Sequence, residues 1–268
     1  MSQDIAVIII HGMGSQKAKF SHPLRDEINR RVGEDHARKI AWGEIYWADV
    51  LAPRQKAYLR RTKNSNDLDF LSLREFIIGA FGDATAYRKS DDRRDTAYSE
   101  IHKRVDAVIE KLDDSELPKK PLIVLAHSLG GHIMSNYIYD MQKRQRRRAR
   151  TSNFRRMKTL AGFITFGCNI PLFTFAFKKE HIKPIKFPGT GLSVANKDRA
   201  RWLNFYDADD VLGYPLKPIN DAYKKVVDKD IAINVGGIMT SWNPMSHRKY
   251  WTDDDFTEPV ARFIRSFL

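Results

Sequence analysis

Ser128 stands where a serine could act as a nucleophile. It lies in Leu122–Gly131 (LIVLAHSLGG), where an apolar run reads as a short buried strand that turns through Ala126–Gly130 into a helix. The spacing is small-x-Ser-x-Gly, with Ala126 at the first small position. Small residues flank such a serine because the turn is tight and strained, and bulky Cβ groups there would clash. The turn lifts the hydroxyl off the sheet edge and sets the Leu129 amide at a helix N-terminus, where partial positive charge favours an anion. An N-capping serine followed by glycines has the same local sequence. The partners elsewhere in the chain therefore decide.

A nucleophilic serine needs a histidine to take its proton and a carboxylate to orient the imidazole. Three further groups fall at the ends of strand-like runs. His11-Gly-Met-Gly14 follows the first run, and its glycines would let backbone amides approach a ligand closely. Asp207, Asp209 and Asp210 share one acidic turn after Tyr206. His247 follows the last run, in Ser246-His-Arg-Lys-Tyr-Trp251.

Six strand-like runs must position these groups: 5–10, 39–47, 122–126, 160–167, 201–206 and 228–235. Between them lie helical segments near 21–32, 53–61, 71–87, 96–112, from Leu129 onward, and 258–267. The alternation predicts an α/β fold with a mainly parallel sheet of about six strands flanked by helices, in one domain over 1–268. In such sheets, sites gather beyond the carboxyl ends of the strands. A helical insertion lies within 53–95, before the nucleophile strand. Its second segment, 71–87, is unusually apolar and fits either core or a cap over the site, core being the simpler reading. The aromatic-rich stretch Cys168–Phe177 suits an apolar substrate pocket or packing beneath a loop.

The order Ser, acid, His is that of the α/β-hydrolases. Over nearly its whole length, from HGMG to SHRKYW, the chain resembles an α/β-hydrolase of the lipase/esterase kind. The Ala-His-Ser-x-Gly-Gly elbow is similar to that of small bacterial lipases, and Thr165-Phe-Gly167 is similar to the strand end after the elbow helix in many lipases. The long 53–121 segment and a basic tract depart from the pattern. The resemblance implies a serine hydrolase cleaving a carboxylic ester through an acyl-enzyme, with Ser128 as nucleophile, His247 as base and no metal or organic cofactor. It also implies an oxyanion hole formed by the Met13 and Leu129 amides. His11 and His127 belong to the two motifs, and His22, His36, His102, His132 and His181 all precede the acidic turn, so only His247 satisfies the order. Asp-Val-Leu-Gly at 210–213 resembles a lipase turn and favours Asp210 as the acid, with Asp209 close behind and Asp207 structural. A thioesterase or amidase would use the same triad.

Composition sets the remaining bounds. Cys168 is the single cysteine, so no intrachain disulfide forms and nothing points to an oxidising compartment. The N-terminus lacks a basic region followed by a long apolar one, and Asn169 and Pro171 interrupt the apolar 160–177, so cytoplasm is the default location. Nine lysines and arginines crowd 141–158 without one acid, so most of the net charge of +13 is a local patch, expected as an exposed basic loop. A small-molecule or lipid ester is the expected substrate, and an anionic membrane surface is the partner that 143–158 would suit. The contrasting reading is a silent hydrolase scaffold that binds nucleic acid or membrane through this tract. Nucleic acid is disfavoured, because only Phe154 interleaves the basic run.

Overall fold

The computed structural model of the chain describes residues 3–14, 16–65, 71–88, 96–143, 151–235 and 250–268. His247 and most of the basic tract (144–150) lie outside the described residues.

Six strands form one parallel sheet: β1 (Ile5–Ile10), β2 (Ile40–Ile45), β3 (Leu122–His127), β4 (Leu160–Phe166), β5 (Arg201–Asp207) and β6 (Lys229–Ile233). The helices are α1 (His22–Val32), α2 (Glu34–Ala37), α3 (Ala52–Ser65), α4 (Leu71–Ala86), α5 (Thr96–Leu112), α6 (Leu129–Lys143), α7 (Ile170–Thr174), α8 (Val194–Arg199), α9 (Asp221–Val226) and α10 (Asp254–Arg265).

Strands buried on both faces must be apolar at every position rather than at alternate ones. β1 meets this demand: all six of its side chains are fully buried. Ile8 and Ile10 face one way, with Val124 of β3, and pack on Ile101, Val105 and Ile109 of α5 and Ile133 of α6. Val7 and Ile9 face the other way, with Ile123 and Leu125, onto Leu24 and Ile28 of α1 and Val260 and Ile264 of α10. Fully burying such a side chain contributes roughly 1.5–3 kcal/mol, so a charge at Val7 or Ile8 would break both layers.

The strand order is β2-β1-β3-β4-β5-β6. The chain leaves β1 to one side for β2, then returns to the other side of β1 as β3. The crevice where this order reverses lies beyond the carboxyl ends of β1 and β3, where open α/β sheets bind ligands. The loops that leave those two strands are HGMG and the Ser128 elbow.

Four expectations are corrected. β2 stops at Ile45 rather than Trp47, because the Trp47 amide donates to the His11 ring (3.0 Å) instead of the ladder. α10 starts at Asp254 rather than Glu258, because the Asp253 carboxylate caps it by accepting the Asp255 amide. α4 is not core among its described side chains: Ile77 and Phe81 are 43% and 62% exposed, and its buried residue is Asp83. The basic tract is no loose loop over 151–158, where Phe154 and Met157 are buried and Arg155 pairs with Glu110 of α5 (2.7 Å). The compensating acid comes from another element, out of view in the local sequence. Among the described residues no helix is long and apolar enough to cross a membrane.

Candidate active site

The elbow has the backbone that its sequence requires. Ser128 sits at φ +52°, a left-handed conformation that costs a non-glycine residue on the order of 1–3 kcal/mol. Its amide donates to the Phe166 carbonyl of β4 (2.9 Å), and its carbonyl accepts from the Gly131 amide (2.9 Å), which starts α6. The chain can turn here only because Gly130 has no side chain. A Cβ at Gly130 would lie 2.7 Å from the His11 carbonyl oxygen. Ser128 is fully buried, and its Oγ has no hydrogen-bond partner among the described residues.

The HGMG loop presses directly on this serine. A Cβ at Gly12 would stand 2.5 Å from Ser128 Cβ and 3.1 Å from its Oγ, so no larger residue fits. His11 anchors the loop. Its ring stacks on Trp47 at 4.8 Å and 11°, and the Trp47 indole donates to the His11 carbonyl (3.0 Å). Because Nε2 must accept the Trp47 amide, Nδ1 carries the proton and donates to the Gly12 carbonyl (2.7 Å). Burial pushes its pKa down to about 4, so the ring is neutral at pH 7 and serves as a clamp. Further along, Glu44 of β2 accepts from the Lys19 amide (2.7 Å) and from the Ser21 hydroxyl (2.5 Å).

Three carboxylates share the turn after β5, and their surroundings separate them. Asp207 is buried with both oxygens committed to backbone amides, Oδ1 to Asp209 (2.8 Å) and Oδ2 to Val235 (2.7 Å). It therefore pins the exit of β6 to the end of β5, a structural task. Asp209 is exposed. Asp210 is buried, its Oδ1 accepting the Leu212 amide (3.0 Å) and its Oδ2 the Tyr250 hydroxyl (3.0 Å). Tyr250 also accepts the Asp207 amide (2.9 Å), and burial with the nearby Asp210 raises its pKa far above the usual phenol value, so it stays protonated. Its neighbour Trp251 packs beside the His127 ring at 5.3 Å. Ser128 and Asp210 thus lie at the ends of β3 and β5 with β4 between them, two strand spacings or about 10 Å across the sheet edge.

Two of the residues that build this site were not singled out from sequence. Tyr250 lay inside the noted SHRKYW segment, but nothing local showed that its hydroxyl reaches the acidic turn. Asp83 of α4 accepts the Gly14 amide at Oδ2 (2.8 Å) and Gln55 of α3 at Oδ1 (2.7 Å). An acid late in a largely apolar helix is the available signal.

Cys168 is buried against Gly131, and burial pushes its thiol up to about 12, which rules it out as a thiolate nucleophile. The two readings of Cys168–Phe177 divide along the segment. Phe173 packs on His132 (3.9 Å, 9°), while Phe175 and Phe177 are 81% and 60% exposed. A cavity of about 150 Å³ opens beside α6, lined by His132, Asn136, Tyr139, Ile170, Phe173 and Tyr223 among others. Among the described residues, neither Ser128 nor Asp210 lines it. No group of three metal-ligating side chains occurs among the described residues. A scan against protein-family models and searches of curated proteins and of solved structures return no match to this chain.

Proposed function

We propose that the protein is an α/β-hydrolase-like serine hydrolase that cleaves a carboxylic ester through an acyl-enzyme, with Ser128 as nucleophile, His247 as base and Asp210 as orienting acid. The observation that carries this reading is the state of Ser128. A residue at φ +52°, its hydroxyl buried and without a partner among the described residues, bears backbone strain of about 1–3 kcal/mol. Glycine would relieve it. A serine kept there, at the sheet's switch point and against a glycine loop, suits a group that needs its hydroxyl for chemistry.

The steps follow from the surroundings. Ser128 Oγ attacks the ester carbonyl carbon while His247 takes its proton. The Met13 and Leu129 amides hold the oxygen as it becomes negative, helped by the partial positive charge at the start of α6. The alcohol leaves with the proton from His247, and water then repeats the sequence to release the acid. Asp210, buried and fixed by Leu212 and Tyr250, holds the imidazole's tautomer. A span of about 10 Å between strand ends is the scale of one imidazole with a hydrogen bond on either side. His247 precedes Tyr250 by three residues, so covalent reach alone tethers it within roughly 11 Å of a residue bonded to Asp210. Ser128 has no exposed surface, so an ester reaches it only once the covering residues shift.

The test is hydrolysis of p-nitrophenyl esters of increasing chain length by the wild type and Ser128→Ala. The wild type should turn over at least one of them, and the variant should lose on the order of 10⁴–10⁶ in kcat while keeping its fold. Equal activity in both proteins would reject the assignment.

A further inference from the structure

We propose that Asp83 is a positioning residue: it latches the helical insertion onto the HGMG loop, so that α3 and α4 set the reactivity of Ser128 from outside the triad. The inference rests on the serine hydrolase reading for its kinetic consequence, and on geometry alone for the latch.

Asp83 is 3% exposed and sits in a largely apolar helix. Its two described partners are neutral donors, the Gly14 amide at 2.8 Å and the Gln55 side-chain amide at 2.7 Å. Taking a carboxylate out of water against neutral donors alone is costly, and burial raises its pKa accordingly. Such a group contributes poorly to stability but gives strong directional control of what it bonds.

What it bonds is one peptide from the proposed oxyanion donor. The Met13 carbonyl and the Gly14 amide lie in one rigid plane, so fixing the Gly14 N–H fixes that plane. Only Met13's own two dihedrals then separate it from the Met13 amide. Gly14 itself takes φ +87°, a conformation with little intrinsic preference to hold the loop still. On the near side, the His11 clamp on Trp47 secures the other end of the same four residues. The backbone of α4 also comes close: a Cβ on Gly79, one turn before Asp83, would sit 3.6 Å from Gly14 Cα. Ile77 and Phe81, on the opposite face of α4, point outward, and Ala86, one turn after Asp83, packs on the core. The polar latch is the specific tie between insertion and loop among the described side chains.

The test exploits the geometry of two donors meeting one carboxylate. Asp83→Ala removes both acceptors. Asp83→Asn keeps a carbonyl for the Gly14 amide, and Gln55 turned end for end offers its own carbonyl to the new amide, so both bonds persist. Two readouts are needed on the full chain: amide exchange over residues 11–14, and kcat and KM on a small soluble ester. Asp83→Ala should speed exchange by about tenfold, the loss expected for one strong hydrogen bond. It should lower kcat by about tenfold to 100-fold with KM within about threefold, as for a loosened oxyanion donor. Asp83→Asn should retain most of both. Should Asp83→Ala not fold, Gln55→Ala leaves the Gly14 bond in place with less support and should shift both readouts the same way by a smaller amount. Unchanged exchange and kcat in Asp83→Ala and Gln55→Ala would overturn the latch, as would a loss in Asp83→Asn as large as that in Asp83→Ala. A wild type inert toward every ester refutes the hydrolase reading instead, and the exchange data still judge the latch.

Discussion

The acidic turn after β5 and the HGMG loop after β1 leave parallel strands at the same sheet edge and differ in how far local bonds hold them. The acidic turn is shaped by bonds within itself and placed by two distant residues, Val235 and Tyr250. Asp207 accepts from Asp209, Asp210 from Leu212, and the Asp210 carbonyl from the Gly213 amide, all within three residues. The HGMG loop is tied by distant elements: His11 by Trp47, 36 residues on, and Gly14 by Asp83, 69 residues on. A turn of the first kind has local bonds that set its shape, with distant ones that anchor it. A loop of the second kind has its shape only when the rest of the fold has formed around it, so it can be loosened from afar.

This contrast assigns different consequences to substitutions on the two sides. The largest effect is expected in the acidic turn. Asp210→Asn should lower kcat by roughly 10²–10⁴, since only the orienting acid fixes the tautomer of His247. Asp209→Asn, on an exposed residue, should cost little, and Asp207→Asn should lower stability by loosening Val235. Steady-state kinetics paired with thermal melts separates the three. A large loss at Asp209 with little at Asp210 would transfer the role.

On the loop side the expected effect is a pH-dependent stability. Burial holds His11 at about 4, against 6.5 for an unperturbed ring, so as pH falls the unfolded chain takes up its proton first. The contribution is whole above pH 6.5 and lost progressively down to pH 4, about 3 kcal/mol in all. His132, pushed down to about 3 by burial, adds in the same direction. Urea midpoints between pH 7 and 4 should fall steeply for the wild type. They should fall less steeply for His11→Asn, from a lower starting value at pH 7. Parallel slopes in the two proteins would remove the clamp from the account.

The smallest effect falls on the distant anchor of the acidic turn. Tyr250→Phe removes a hydroxyl that donates to Asp210 and accepts from the Asp207 amide. The loss should be about 1–3 kcal/mol of stability, with a modest fall in kcat as Asp210 loses one restraint. Retention of full stability would show that water takes the place of the hydroxyl.

The same contrast explains what could be read in the sequence. Continuous apolar runs such as Ile5–Ile10 announce strands buried on both faces, and their glycine- or aspartate-punctuated ends locate HGMG, the elbow and the acidic turn. The preference for Asp210 over Asp209 came from a four-residue pattern, and their burial differs in the same sense. Partners separated by tens of residues left no such mark. Apolar composition favours core over cap for 71–87, because hydropathy does not reveal which element a helix will face; Ile77 and Phe81 turn outward, and the buried Asp83 makes the contact. The 151–158 end of the basic tract misleads for a related reason, since the acid that pairs with Arg155 sits on α5, 45 residues away.

The central claim is that Ser128 is a nucleophile rather than a strained structural serine. Its most direct test is fluorophosphonate treatment of the intact chain, followed by digestion and peptide mapping of the adduct. A single phosphonylated site at Ser128, absent in Ser128→Ala and slowed in Asp210→Asn, is the predicted result. Labelling at another residue, or none at any exposure time in a wild type that hydrolyses esters, would contradict it.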